Sequence, residues 1–231
     1  MEKKPYEKLL NCVASSEEIT SGNREGLADF LNYEHPGDVL FTKWKCPPVI
    51  EEGKGNKIWD VDGKEYIDCI CGMSTMNIGH GDPRIAKVLS DQYLKLGHWF
   101  DFPTPERLEL VKRLTEITPG DYKKKVRLTL SGSDAVENAI RAARSHTGKT
   151  HIISFYGAYH GQNTATMGIT GAGSMHRWYN PVPPADHCVE HFPYAYCYRC
   201  PYGKEYGTCD MQCVKSIDML MSSGQTSLGN P

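Results

Sequence analysis

The sequence has no long apolar run and no excess of one charge. Of its 231 residues 39% are hydrophobic and 23% charged. No apolar stretch approaches the roughly 18 residues of a membrane span, which excludes an integral membrane protein. The 26 basic and 28 acidic residues give a net charge of -2 and are interspersed. Without a basic field the chain is not suited to nucleic acid, and we expect neither nucleic-acid nor membrane partners but small-molecule chemistry.

The N-terminus also lacks the apolar segment of a secretory signal, so we expect a cytoplasmic protein. Cysteine is not scarce, since the chain has nine. An odd number in a reducing cytosol predicts free thiols rather than a disulfide framework.

The chain divides by pattern near residue 80. Residues 1–80 are predicted to form an N-terminal arm, with one or two short helices between Lys3 and Leu31, and a hairpin that turns at Asp62-Gly63. Residues 81–231 are predicted to begin a larger domain. Its first two helices are expected to start at Asp82-Pro83 and Thr104-Pro105, each followed by apolar residues at helical spacing, namely Ile85, Val88 and Leu89, then Leu108, Val111 and Leu114.

The segment from residue 126 to 171 carries the strongest pattern. Val126, Leu128 and Leu130 predict a buried strand, a helix follows from Asp134, and residues 151–155 predict a second strand. Strand, helix and strand in about 30 residues form a βαβ unit, which predicts an α/β fold with a parallel sheet. After Gly157 the pattern predicts a long loop, then a last helix around residues 214–221.

Two short segments follow these elements and suggest a ligand site. The Ser131-Gly132-Ser133 turn precedes a helix whose free amides can bind a phosphate, although the usual role of such residues is that Ser131 or Ser133 only caps the helix. Tyr159 and His160 follow the second strand and could stack on a flat ring. Together they predict a phosphate cradle beside an aromatic platform, as a phosphorylated pyridine requires.

The strings SGSDAVENAIRAARSHTGK and GAYHGQNTATMGITG resemble the class III aminotransferases that use pyridoxal 5'-phosphate, most closely the branch containing 4-aminobutyrate aminotransferase. The hairpin IWDVDGKEYIDCICG and the element Asn77, Gly79, His80, Pro83 fit as well, so the resemblance runs from about Phe41 onward. It implies the aspartate-aminotransferase-like fold, fold type I. The resemblance further implies that the fold is incomplete here: residues 1–80 are expected to be part of the small domain, and residues 81–231 the first part of the large cofactor-binding domain.

The resemblance also implies site residues. Those for the cofactor are Gly132, Ser133, Tyr159 and His160, and those for the substrate pocket are Met73, Ser74, Trp44 and Gln162. Gln162 stands where the 4-aminobutyrate branch has an Arg for the distal carboxylate. Because a neutral amide cannot replace that charged fork, we expect a donor with a neutral or cationic tail, or a carboxylate anchored elsewhere.

Family members are much longer, and the Lys that forms the Schiff base lies in the part that this sequence does not contain. We therefore expect no catalytic residue in this chain and no activity of the chain alone. The full-length enzyme is expected to be a homodimer that moves an amino group from a primary amine or amino acid to a 2-oxo acid. The alternative is a non-catalytic half-fold protein that binds phosphate or zinc, or regulates.

Four cysteines, Cys197, Cys200, Cys209 and Cys213, have a count and spacing typical of a structural zinc site. The other interpretation is a loop of reduced thiols packed beneath neighbouring tyrosines, since free cysteine behaves as a small apolar residue. The sequence leaves both open.

Overall fold

The structure is a computed structural model that describes residues 5–15, 17, 19–34, 46–98, 100–172 and 188–222. Its helices are α1 Pro5–Ser15, α2 Ser21–Tyr33, α3 Cys71–Ser74, α4 Pro83–Lys95, α5 Pro105–Ile117, α6 Gly132–Thr147, α7 Thr164–Ile169 and α8 Gln212–Ser222. Its strands are β1 Ile50–Lys54, β2 Lys57–Asp60, β3 Glu65–Ile67, β4 Ile152–Phe155 and β5 Val189–Phe192. The chain forms two compact units, Met1–Phe102 and Pro103–Pro231.

The first unit begins with the two arm helices that the sequence predicts, α1 and α2. A disulfide joins Cys12 of α1 to Cys46, with 5.7 Å between the Cα atoms. The other seven cysteines are free, so the expectation of free thiols is wrong for this one pair. The pairing spans 34 residues and depends on where α1 packs, which cysteine spacing does not reveal.

The hairpin prediction is confirmed. Strands β1, β2 and β3 form an antiparallel sheet in sequence order, and Ile58 lies opposite Tyr66 across the predicted Asp62-Gly63 turn. Gly63 has φ 79°, a left-handed conformation that glycine adopts without strain. The Gly63 amide donates to the Asp60 carbonyl at 2.8 Å, which closes the turn.

A buried carboxylate ties this hairpin to α2. Asp60 is 2% exposed and accepts hydrogen bonds from the Asn23 amide group at 3.0 Å, the Tyr66 hydroxyl at 2.7 Å and the Lys64 amide at 2.9 Å. Burial by itself would raise the pKa of Asp60, but these donors and the Asp62 amide together lower it below its ordinary value. Burial and the neighbouring Asp60 carboxylate raise the pKa of Tyr66 to about 12.

Helices α4 and α5 start where the sequence predicts. The Asp82 carboxylate accepts from the Arg84 amide at 2.8 Å and the Thr104 hydroxyl from the Arg107 amide at 3.3 Å, so both residues cap their helices. Their apolar faces are not covered, however, and neither helix buries a residue among those described. The buried apolar residues of the described ranges are Leu9, Cys12, Leu27, Ile140, Ile169 and Phe192, a smaller core than the composition predicts.

The second unit contains a parallel pair of strands, which confirms the expected sheet type. Ile152 lies opposite Val189 and Phe155 opposite Phe192, and α7 lies between the two strands in the chain. Both α7 and β5 fall in the segment that the sequence predicts as loop, so that prediction is wrong. Helix α8 lies where the last helix is expected.

The predicted strand at Val126, Leu128 and Leu130 is not formed. Residues 123–129 are irregular, and Leu130 is fully exposed at 100%. A strand needs a neighbour for its backbone hydrogen bonds, and the described residues provide no strand beside this segment. Within those residues no helix is long and apolar enough to cross a membrane.

We expect Asp60→Asn to lower the free energy of unfolding by about 2 kcal/mol, because three or more donors then face an amide instead of a carboxylate. Urea denaturation measures this change. Asp91→Asn is the control, since Asp91 forms an exposed ion pair with Lys87 and should change stability by less than about 0.5 kcal/mol. Equal effects of the two substitutions would contradict a structural role for the Asp60 network.

Stability of the first unit should fall as the pH drops below about 4. The folded-state pKa values of Asp60 and Asp62 lie below the ordinary 3.8, so the unfolded chain takes up protons first and the stabilisation is lost as pH falls through the folded values. Urea midpoints between pH 6 and 3 measure the slope. The Asp60→Asn variant should show a shallower slope, and an unchanged one would contradict the assignment.

Candidate functional site

Helix α6 begins with a side-chain cap and two amides that remain available. The Ser131 hydroxyl accepts from the Asp134 amide at 3.1 Å, so the capping explanation is correct for Ser131. The amides of Gly132 and Ser133 have no acceptor within the described part of the chain. Because the helix dipole adds a partial positive charge of about half a unit at this end, the two amides can bind an anion.

The loop after β4 is fixed by the end of α7. Thr170 is fully buried at 0% exposure. Its hydroxyl accepts a hydrogen bond from the His160 backbone amide at 3.1 Å and donates one to the Thr166 carbonyl at 2.8 Å. The Gly171 amide donates to the Ala158 carbonyl at 2.8 Å. These bonds hold the residues on both sides of Tyr159, so Thr170 positions the predicted aromatic platform, a role that the sequence did not reveal.

The same loop contacts the start of α6. The Gln162 backbone amide donates to the Ser133 hydroxyl at 3.2 Å, and the Asn163 side-chain amide donates to the Asp134 carboxylate at 3.2 Å. Gly161 has φ 127°, and a Cβ atom on it would collide with Ser133 Oγ and Thr166 Oγ1. Only glycine permits this approach. The sequence contains this signal in GAYHGQ, but it becomes a requirement only when Ser133 is seen beside it.

The two parts leave room for a phosphorylated ring. A Cβ atom built on Gly132 meets no atom of the described residues within 4 Å, so among them space lies open before the first turn of α6. Tyr159 is 56% exposed, which leaves its ring available for stacking. The Asp134 carboxylate also accepts a hydrogen bond from the Ser131 hydroxyl at 3.0 Å. Together with the bond from Asn163, both of its oxygens therefore accept hydrogen bonds. The residues present therefore fit a phosphate and an aromatic ring.

The predicted substrate-pocket residues that the structure describes lie in both units. Met73 and Ser74 lie in α3 of the first unit, with φ 55° and 68°, and Met73 is 82% exposed. Gln162 is exposed in the second unit, and Trp44 lies outside the described residues. The structure thus brings Ser133 and Gln162 together, while Met73 and Ser74 belong to the other unit.

The four loop cysteines surround one small cavity. Cys197, Cys200, Cys209 and Cys213 all line a space of about 20 Å³, and all four are free thiols. Nevertheless, within the described ranges no three side chains of His, Cys, Asp or Glu are arranged to hold a metal ion. The zinc prediction is therefore not supported. The packed-thiol interpretation agrees in part, because Tyr196 lines the same cavity while Cys197 is exposed.

Comparison with known proteins points to the same family that the sequence motifs resemble. The family profile Aminotransferase class-III matches residues 41–226. The 5-aminovalerate aminotransferase DavT of Pseudomonas aeruginosa is 42% identical over 127 residues, covering 54% of this chain and 30% of that protein. The leucine/methionine racemase of Thermococcus litoralis is 36% identical over 175 residues, covering 74% of this chain and 38% of that protein.

The fold agrees with solved structures. A Bacillus anthracis aminotransferase superposes with a TM-score of 0.73 at 26% identity, covering 89% of this chain and 46% of that one. The fold is that of the pyridoxal-phosphate-dependent transaminases, fold type I, and the chain spans less than half the length of these relatives. From residue 41 to residue 226 the sequence matches one family, and the chain belongs to the class III aminotransferases.

Proposed function

We propose that this chain supplies the phosphate- and ring-binding half of a pyridoxal 5'-phosphate site. The complete protein would transfer an amino group from a primary amine or amino acid to a 2-oxo acid. The observation that carries the proposal is the contact between the Ser133 hydroxyl and the Gln162 amide, at 3.2 Å. It holds together two segments that are 29 residues apart. One presents amides suited to the phosphate of the cofactor, and the other presents an aromatic ring suited to its pyridine.

In this proposal each residue has a binding or positioning task. The Gly132 and Ser133 amides bind the phosphate with the help of the helix dipole, and the Tyr159 ring stacks on the pyridine. His160 anchors the loop because its amide donates to Thr170. The bound cofactor supplies an aldehyde that reacts with amines and a ring that withdraws electrons. Orientation of that ring is what these residues contribute.

The remaining parts of the enzyme come from outside this chain. We propose that the Schiff-base lysine lies in the part of the relatives that these 231 residues do not cover, since they span 30% and 38% of the first two. Residues 1–80 would then belong to the small domain and residues 81–231 to the large domain. The complete protein is proposed to be a cytoplasmic homodimer.

A second candidate activity is amino-acid racemisation. It is favoured by one observation, the 36% identity to a leucine/methionine racemase over 74% of this chain. The two activities differ in product, because transamination consumes a 2-oxo acid and racemisation does not. Incubation of the full-length protein with an L-amino acid, with and without a 2-oxo acid, separates them.

We expect Gly132→Val to weaken binding of pyridoxine 5'-phosphate at least about tenfold, or about 1.4 kcal/mol. The added side chain fills the open space before α6, and no described neighbour lies within 4 Å of the new Cβ atom to oppose folding of the substituted chain. Calorimetric titration of the 231-residue chain measures the affinity. The alcohol analogue lacks the aldehyde, so it cannot label surface lysines.

Ala142→Val is the matched control, because it places the same valine side chain at an exposed position of α6 away from the two amides. It should leave the affinity within about twofold of the original. If Gly132→Val binds the analogue as well as the control does, the phosphate is not held at this helix.

The 231-residue chain is expected to bind the cofactor without turnover. A covalent reaction needs one activated lysine, and the resemblance places that residue outside this chain. Borohydride reduction with pyridoxal 5'-phosphate, followed by peptide mapping, should give only scattered, substoichiometric labels. Stoichiometric labelling of one lysine together with transaminase activity would disprove the half-site proposal, and absence of any cofactor binding would contradict it as well.

A further inference from the structure

A second cavity lies where strands β4 and β5 end. It has a volume of about 520 Å³, and its wall includes Tyr156, Gly157, Ala158, Tyr194, Tyr196 and Arg199. This volume is in the range of small-molecule sites, about 300 to 1,000 Å³. Because the two strands are parallel, the loops that follow them meet at one edge of the sheet, the usual position of ligand sites in such sheets.

We propose that this cavity binds the carboxylate of an amino acid or 2-oxo acid substrate through the guanidinium group of Arg199. The inference rests on the proposed function, and it assigns to Arg199 the anion-binding task that Gln162 cannot perform. The substrate class is a carboxylate with an apolar carbon chain.

The charge of the cavity supports an anionic ligand. Among the described residues of its wall, Arg199 is the single basic one, and none is Asp or Glu. In the part of the chain that the structure describes, Arg199 forms no ion pair. Its guanidinium carbon lies 5.6 Å from the centre of the Tyr198 ring, a contact that leaves the fork of N–H groups available for a carboxylate.

The backbone around Arg199 is fixed. The Arg199 amide donates to the Tyr196 carbonyl at 3.1 Å within the short 3-10 helix Cys197–Arg199. Tyr194 packs edge-on against Phe155 with ring centres 5.8 Å apart. The charged residue therefore projects from a turn that the end of β4 holds in place.

The aromatic walls define the rest of the ligand. Tyr156, Tyr194 and Tyr196 contribute ring surface, and Tyr156 is held by stacking on His191 at 5.7 Å between ring centres. Such rings offer apolar surface to a carbon chain beside the charged group. An apolar carboxylate therefore satisfies both the charge and the walls.

The cavity also adjoins the proposed cofactor loop. Its wall includes Gly157 and Ala158, and Tyr159 follows directly in the chain. The Gly157 amide donates to the Gly171 carbonyl at 2.9 Å, and the Gly171 amide donates to the Ala158 carbonyl at 2.8 Å. A ligand held by Arg199 would thus lie against the same loop that presents the stacking tyrosine.

The test compares two ligands of equal size, 4-methylpentanoate and 4-methylpentanamide, which differ in charge. NMR titration of the 231-residue chain measures both affinities, with the tyrosine ring signals as reporters. We expect the acid to bind at least about tenfold more tightly than the amide, and Arg199→Gln to abolish that preference. Arg107→Gln is the control, because it removes the same charge from an exposed position at the start of α5 and should preserve the preference.

The outcomes separate this inference from the proposed function. Equal affinity of the original chain for acid and amide overturns the role of Arg199, even if a substituted chain fails to fold. An acid preference that survives Arg199→Gln does the same, and so does displacement of the acid by equimolar inorganic phosphate. If pyridoxine 5'-phosphate fails to bind while the Arg199-dependent preference persists, the cofactor proposal fails and the carboxylate site stands.

Discussion

The close approach of Gly161 to Ser133 is the contact on which the proposed site depends. It joins the first turn of α6 to the loop that follows β4, and the Gln162 amide donates to the Ser133 hydroxyl at 3.2 Å across it. Any side chain at position 161 would collide with Ser133 and Thr166. If the two segments separated, the free amides of α6 and the ring of Tyr159 would no longer be placed to bind the same ligand.

The parallel pairing of β4 and β5 determines which loops lie beside the proposed site. Parallel strands end at the same sheet edge, so the loops at residues 156–161 and 193–201 must be neighbours. That geometry gives one edge two different surfaces: the loop of Tyr159 and His160, and an aromatic cavity with Arg199. Under the proposal the first surface would hold the cofactor ring and the second the carboxylate of an amino acid or 2-oxo acid.

The uncovered apolar faces agree with the length of the chain relative to its family. Val88 and Leu89 of α4 are each 64% exposed, and Leu108 of α5 is 55% exposed, although their spacing is that of helices packed against a core. This chain spans 46% of the B. anthracis aminotransferase chain. A helix forms from local signals such as the Asp82 and Thr104 caps, but burial of its apolar face requires a second layer, which the described residues do not provide.

Local chemistry in the sequence determined the elements whose signals are short-range. The Asp62-Gly63 turn, the caps of α4 and α5 and the strand at Ile152–Phe155 all follow from neighbours a few residues apart, whereas α6 begins at Gly132, two residues before the predicted start at Asp134. The resemblance in SGSDAV and GAYHG likewise identified the family. Tertiary structure alone decided four features: the irregular segment at Leu130, strand β5, the Cys12–Cys46 disulfide and the cavity of Arg199. Each depends on a partner distant in the chain, because a strand, a disulfide and a pocket exist only between segments that folding brings together.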